Sequence, residues 1–199
     1  MRNSKMKGFT LIELIVVIAI IGILAAILVP SMLGYVRNAR ISQANANAKQ
    51  VHTAVSSALT QLGISNVNLK STGGADLYTV TVQLAADKKS ITADLSTAPT
   101  GTGALSEADI STKMDLISYL GENFTGIGKA WYNPSTYSVY GAAYAADQAA
   151  IDRASQLLVT TGSVTAGLTF TNNADDLTQK DDAKAGTLYG VYPQGVAAT

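Results

Sequence analysis

The stretch Lys7-Gly8-Phe9-Thr10-Leu11-Ile12-Glu13 opens a long apolar segment near the start of the chain. From Leu14 to Val36 the sequence has 23 residues without a charged side chain. As a helix rising about 1.5 Å per residue, these residues would span roughly 34 Å, enough for a hydrocarbon core of about 30 Å. Three basic side chains precede the segment (Arg2, Lys5 and Lys7) and favour a cytoplasmic N-terminus. The sequence therefore predicts a single membrane-spanning helix with the rest of the chain outside.

Gly8, the small residue that could mark a cleavage site, lies before the apolar segment. An ordinary secretory signal has its cleavage site after the apolar region. A cut before Phe9 would instead leave the apolar segment on the mature chain. Glu13 lies inside that segment, where a carboxylate near the bilayer centre costs about 2.5–3.5 kcal/mol. Either a partner offsets this cost, or Glu13 lies at the headgroup boundary and has no further role.

The N-terminal residues resemble those of the type IV pilin family from Lys7 to about Tyr35. The matching positions are Gly8, Phe9, Thr10, Leu11, Glu13, Gly22, Pro30 and Tyr35. The resemblance implies that a prepilin peptidase recognises Lys7-Gly8-Phe9, cuts after Gly8 and methylates the new amine of Phe9. It also implies that this amine pairs with Glu13 of a neighbouring subunit. The segment between Gly22 and Pro30 is expected to unwind in the assembled filament.

The chain has no cysteine, which separates it from pilins that close their C-terminal region with a disulfide. In this respect it is similar to pilins of Gram-positive or anaerobic bacteria. The resemblance implies a major pilin, present first in the membrane and then in a surface filament for adhesion or motility. Its partners would be identical subunits, the peptidase and the assembly platform. The alternatives are a pseudopilin of a type II secretion system, a minor or tip pilin that binds carbohydrate or DNA, and an anchored surface domain.

Four segments are expected: a leader (1–8), a membrane and filament-core stem (9–36), an amphipathic half-helix (37–62) and a globular head (63–199). In the third segment, apolar residues recur at three- and four-residue steps, which is typical of a helix with one buried face. They are Ala44, Ala48, Val51, Val55, Ala58, Leu59 and Leu62. Gly63 is predicted to end the helix as a left-handed cap. The net charge of residues 9 to 62 is +2, whereas from residue 63 onward 8 basic and 13 acidic side chains give a net charge of −5.

The head is predicted to contain an antiparallel sheet, which makes the fold class α+β, with the long helix packed on the sheet. Alternating side chains indicate a strand at Leu77–Leu84. A helix is predicted from Ser106 to Leu120 with Ser106 as its N-cap. The remaining expected elements are strands at Lys129–Tyr132 and Ser138–Tyr144 around a turn, a helix at Asp147–Leu158 and a strand at Thr187–Tyr192.

Three features of residues 37–199 are candidate sites. Five aromatic residues (Trp131, Tyr132, Tyr137, Tyr140 and Tyr144) could stack on sugars, but such residues more often fill a core. The acids Asp175, Asp176, Asp181 and Asp182 could bind calcium, although a solvated loop is the preferred interpretation. His52 is the only histidine, so a contact with solvent or with the head is expected rather than a metal site. The sequence contains no catalytic or nucleotide-binding motif, so neither an enzyme activity nor a cofactor is predicted.

Overall fold

The computed structural model describes residues 8–69, 78–84, 91–95, 106–161, 169–172 and 176–193. The chain divides into two compact units, Met1–Ala39 and Arg40–Thr199. One helix, α1, runs from Leu11 to Ile64 and contributes residues to both units. Its predicted bounds were two residues earlier at each end, so the long helix is confirmed.

The first unit consists of the apolar part of α1. Its most apolar 18-residue window has a mean hydropathy of 3.2, and by length and composition α1 could cross a membrane. The large apolar side chains from Phe9 to Val36 are 41–87% exposed in the single chain. This segment has no core of its own, so its cover has to come from lipid or from other chains.

The second unit begins with the other half of α1, which buries one face against the head. All seven residues of the predicted stripe are buried, and so are Ile41 and Ala54. The stripe prediction is confirmed. The amphipathic pattern therefore positions the helix on the sheet.

The end of α1 differs from the prediction, because Gly63 is not the left-handed cap. The left-handed residue is Asn66, with φ 53°. The amide of Asn66 donates to the carbonyl of Gly63, and that of Val67 donates to the carbonyl of Leu62, both at 3.0 Å. This pattern is a Schellman cap with asparagine in the position usually taken by glycine. Gly63 serves close packing instead, since a Cβ there would lie 3.1 Å from ring atoms of Tyr137.

The head contains a five-stranded antiparallel sheet, which confirms the α+β prediction. Its strands are β1 (Tyr78–Leu84), β2 (Ile91–Leu95), β3 (Ile127–Asn133), β4 (Ser138–Ala145) and β7 (Tyr189–Tyr192). Their order in the sheet is β2-β1-β3-β4-β7. A separate two-stranded sheet pairs β5 (Leu158–Thr161) with β6 (Thr169–Asn172). The sequence predicted β1, β3, β4 and β7 and missed the others.

The two faces of the sheet carry different helices, because successive strand residues point to opposite sides. On β3, Ala130 and Tyr132 join the core cluster formed with α1. Trp131 belongs to a second cluster formed with α4 (Gln148–Leu157). The helix α4 was predicted and is capped by Asp147, whose carboxylate accepts from the amide of Ala150 at 2.9 Å.

The single helix predicted from Ser106 to Leu120 is wrong, since two helices occupy this stretch. They are α2 (Glu107–Met114) and α3 (Leu116–Leu120), separated by Asp115 with φ 40°. Aspartate tolerates this left-handed conformation better than most residues. The break places Leu116 in the core at 1% exposure. The predicted cap at Ser106 is confirmed, since its hydroxyl accepts from the amide of Asp109 at 3.2 Å.

Candidate functional site

The candidate processing and assembly residues lie at the start of α1. Thr10 is the residue before the first helical residue, and Glu13 is the third residue of the helix. The carboxylate oxygen Oε2 of Glu13 accepts from the amide of Thr10 at 2.8 Å and from its hydroxyl at 2.6 Å. The Thr10 hydroxyl accepts in turn from the amide of Glu13 at 3.3 Å. Thr10 and Glu13 therefore form a capping box.

The capping box gives Glu13 a role that the sequence interpretation missed. The signal was available, because threonine followed three residues later by glutamate is the recognised pattern for this motif. A carboxylate in the first turn also interacts favourably with the helix dipole. Only Oε2 is engaged, and no hydrogen bond to Oε1 occurs within the described residues. Glu13 can therefore cap its own helix and still present an oxygen to another group.

The other candidate residues of this segment are spread along it. Phe9 precedes the helix and is 87% exposed, whereas Lys7 lies outside the described residues. Gly22 and Pro30 both lie within α1, which is helical on both sides of the proline. Proline donates no hydrogen bond, so the helix has one fewer bond at this turn. Whether the segment between them unwinds in a filament stays a prediction.

The acidic candidates do not form the predicted solvated loop. Asp175 lies outside the described residues, and Asp176 begins the helix α5 (Asp176–Lys184). Asp181 pairs with Lys184 at 2.8 Å, and Asp182 pairs with Arg153 at 3.0 Å. Within the described part of the chain, no group of three or more acids and histidines could hold a metal ion. The loop interpretation was wrong for Asp176, Asp181 and Asp182, because these three residues lie on a helix.

The carboxylate of Asp182 also accepts from the hydroxyl of Tyr189 at 2.6 Å. Partial burial alone would raise the pKa of Asp182. The hydrogen bonds from Tyr189 and Arg153 outweigh that effect and lower the pKa. This carboxylate therefore links α4, α5 and β7.

The aromatic residues of β3, β4 and the turn between them pack within the head, which agrees with the prediction that they fill a core. Trp131 and Tyr132 are buried. The hydroxyl of Tyr137 donates to the carbonyl of Val67 at 2.7 Å, and that of Tyr144 donates to Thr125 at 2.6 Å. Tyr140 is half-buried and accepts from the amide of Asn133 at 3.2 Å. These rings form no exposed platform for a sugar.

His52 makes the expected contact between helix and head. Its ring packs edge-on against Tyr192 with the centroids 4.9 Å apart. The ammonium group of Lys49 lies 5.8 Å from the centroid of the same Tyr192 ring. Burial lowers the pKa of His52, and a hydrogen bond involving the Val139 backbone opposes this only in part.

The lowered pKa of His52 predicts that the head loses stability in acid. Between the folded pKa and the unfolded value near 6.5, the unfolded chain binds more protons, so stability falls as the pH falls through this window. We expect His52→Gln to weaken the acid destabilisation between pH 7 and 5. Urea unfolding of His52→Gln and of the unmodified chain at several pH values measures the pH dependence of stability in each. An identical pH dependence in the two proteins would contradict the assignment to His52.

A polar cluster fixes the last strand to α1. The side-chain oxygen of Asn45 accepts from the amide of Val191 at 2.9 Å and from the Gln179 amide at 2.8 Å. Gln179 is only 2% exposed and also donates to the carbonyl of Tyr189 at 3.3 Å. Between these contacts, Gly190 lies directly against the backbone of α1. No local pattern in the sequence indicates this contact, because Asn45 lies 134 residues from Gln179 and 146 residues from Val191.

The comparisons with known proteins concern the N-terminal motif. Residues 3–29 match the family model described as the prokaryotic N-terminal methylation motif. The type IV major fimbrial protein FimA of Dichelobacter nodosus is 46% identical over 57 residues, which cover 29% of this chain and 36% of the relative. The type IV major pilin protein PilA of Myxococcus xanthus is 48% identical over 52 residues, which cover 26% of this chain and 24% of the relative.

A third relative has a similar extent of match. The type IV major pilin protein PilE1 of Neisseria gonorrhoeae is 49% identical over 53 residues, which cover 27% of this chain and 32% of the relative. The chain thus spans about a quarter to a third of the length of these relatives. No solved structure matches the chain significantly. The methylation motif and the relatives named as major pilins show that the N-terminal part of this chain is similar to that of type IV pilins.

Proposed function

We propose that this chain is a structural subunit of a type IV pilus and has no catalytic activity. The observation that carries the proposal is the uncovered stem. From Phe9 to Val36 every large apolar side chain is at least 41% exposed, and most of this stem lies within residues 3–29, which match the methylation motif. Burying one such side chain fully stabilises by about 1.5–3 kcal/mol, so the stem needs a partner along its whole length.

The proposed sequence of events begins in the membrane. The precursor inserts with residues 1–8 inside and the head (63–199) outside. The peptidase recognises Lys7-Gly8-Phe9 and cuts after Gly8, and the amine of Phe9 is then methylated. The stem (9–36) then leaves the bilayer through the assembly platform and packs against the stems of identical subunits.

Leaving lipid for a bundle of stems gives little hydrophobic gain, because lipid tails are already apolar. The direction and register of assembly therefore need polar contacts. We propose that Glu13 accepts from the Phe9 amine of a neighbouring subunit, with Oε1 the oxygen left available by its own cap. The segment from Gly22 to Pro30, weakened by its proline, would unwind as the stems pack.

The first test is to shear surface material from producing cells and determine the N-terminus and abundance of this chain by mass spectrometry. We expect abundant chains that start at methylated Phe9. Chains found only in the membrane, though starting at Phe9, would indicate a pseudopilin or a minor subunit. Chains that still start at Met1 would overturn the cleavage and the assembly mechanism together.

A further inference from the structure

The strand β7 lies at one end of the five-stranded sheet, where it pairs with β4. The amide of Val191 in this strand donates to the side-chain oxygen of Asn45 at 2.9 Å. The carbonyl of Tyr189 accepts from the side-chain amide of Gln179 at 3.3 Å. Backbone groups of residues two apart point to the same side of a strand, so both bonds lie along the edge that faces away from β4. Side chains therefore close this edge of the sheet.

The two side chains together occupy the place of a neighbouring strand. The amide of Gln179 donates to the oxygen of Asn45 at 2.8 Å, and the amide of Asn45 donates to the oxygen of Gln179 at 3.3 Å. This amide pair accepts from Val191 and donates to Tyr189, as one residue of an added parallel strand would. An open strand edge is a template on which another chain can pair. Another strand can therefore add to β7 only after the amide pair has moved.

The helix α5, which carries Gln179, is held to the head by polar contacts. One turn beyond Gln179, the carboxylate of Asp182 bonds to Arg153 of α4 and to the hydroxyl of Tyr189. Among residues 178–184, the part of α5 whose side chains the structure describes, Gln179 is the buried one. Hydrogen bonds made on folding replace hydrogen bonds to water, so their net contribution to stability is modest.

The helix α4 packs in the same head by a different kind of contact. It has 10 residues against 9 in α5, and it buries the apolar side chains of Ala150, Ile151 and Ala154. Apolar burial is the dominant favourable term in folding. Segments with few buried apolar contacts open locally while the rest of the domain stays folded. Local opening of α5 is therefore expected to cost less free energy than local opening of α4.

We propose that α5 is a detachable strap that controls whether another strand can add to β7. When closed, the strap holds Gln179 against the edge and excludes a further strand. When open, it admits a polypeptide segment in extended conformation, which is recognised mainly through its backbone hydrogen bonds. The proposal goes beyond the proposed function and does not depend on it, because all of its contacts lie within the second unit.

Hydrogen exchange in the unmodified full-length chain, kept in detergent, tests whether the strap opens by itself. The amides to compare are those of residues 180–184 in α5 and 152–157 in α4, because they lie beyond the first turn of each helix. Since α5 lacks the apolar burial of α4, its amides should exchange at least about tenfold faster. Equal protection of the two helices would overturn the proposal, because α5 would then open only when the whole head unfolds.

A labelled peptide with the sequence of residues 138–145 tests strand addition, since this segment is β4, which already pairs with β7. Gln179→Ala combined with Asp182→Ala removes the contacts that hold the strap. The matched control combines Asp181→Ala with Lys184→Ala, which removes an exposed ion pair from the same helix. We expect the peptide to bind the first variant at least about tenfold more tightly than it binds the control or the unmodified chain.

A photoreactive residue at the centre of the peptide identifies where it binds, and crosslinks to β7 (Tyr189–Tyr192) are expected. Equal affinity of the peptide for all three chains, or crosslinks confined to other segments, would overturn the proposal. Gly128→Ala is a further control, because it crowds Val51 on α1 and leaves the strap contacts in place. Equally tight binding to Gly128→Ala would show that a loosened head, rather than an open strap, admits the peptide. If the strap variant does not fold, the exchange comparison in the unmodified chain still decides the proposal.

Discussion

Filaments are expected to disappear from cells that produce Glu13→Gln, although the precursor should still be inserted and cleaved. Glutamine can replace glutamate in a capping box, so the start of α1 should keep its hydrogen bonds to Thr10. It cannot neutralise the amine of Phe9. A buried charge left without its partner costs about 3–5 kcal/mol, which lowers the association constant by roughly a hundred- to a few-thousandfold.

The matched control is Thr10→Val, which removes the capping hydroxyl and leaves the carboxylate. Loss of such a cap costs about 1 kcal/mol in helix stability, so filaments should persist in this variant. Counting filaments by electron microscopy and reading the N-terminus of both variants by mass spectrometry completes the comparison. Normal filaments with Glu13→Gln, together with reduced filaments with Thr10→Val, would mean that capping is the function of Glu13.

The helices were largely predictable, because their signals are local. The stripe on α1 and the cap at Ser106 are visible in short windows of sequence, and both are confirmed. The break at Asp115 was missed because the apolar spacing of Ile110, Met114 and Ile117 fits one continuous helix. The core overrode that spacing by burying Leu116.

The candidate site was also predictable only where its signals are local in the sequence. The N-terminal residues form a contiguous motif, and their identification needs no tertiary contact. The capping box of Thr10 and Glu13 was equally local and was overlooked. The contact of Asn45 with Val191 joins distant parts of the chain, so no local sequence pattern indicates it.

Gly190→Ala is expected to be the most destabilising single substitution in the head. A Cβ at this position would overlap the carbonyl of Ala44 and the amide nitrogen of Asn45. Both are backbone atoms of α1, so no side chain can rotate away to make room. Relief requires β7 to move from the helix, which breaks the hydrogen bond between Asn45 and Val191 and disturbs the pairing of β4 with β7.

Overpacking in a well-packed core costs typically 1–3 kcal/mol and occasionally more, and a clash with backbone belongs at the upper end. For a unit of this size, a loss of about 3 kcal/mol lowers the melting temperature by roughly 6–12 °C. Trp131 is the only tryptophan and lies in the same cluster as Val191, so its fluorescence reports unfolding of the head in the full-length chain. The chain can be measured in detergent, which keeps the stem covered.

Gly128→Ala provides the comparison that isolates the cause. A Cβ at Gly128 would lie 2.8 Å from a methyl group of Val51, which is a side-chain contact. Adding Val51→Ala should therefore restore much of the stability lost in Gly128→Ala. At Gly190 the opposing residue is already alanine and the clash is with its backbone, so truncating a side chain offers no rescue. If Gly190→Ala melts within 2 °C of the unmodified chain, a shift that corresponds to less than about 1 kcal/mol, β7 does not approach α1 this closely.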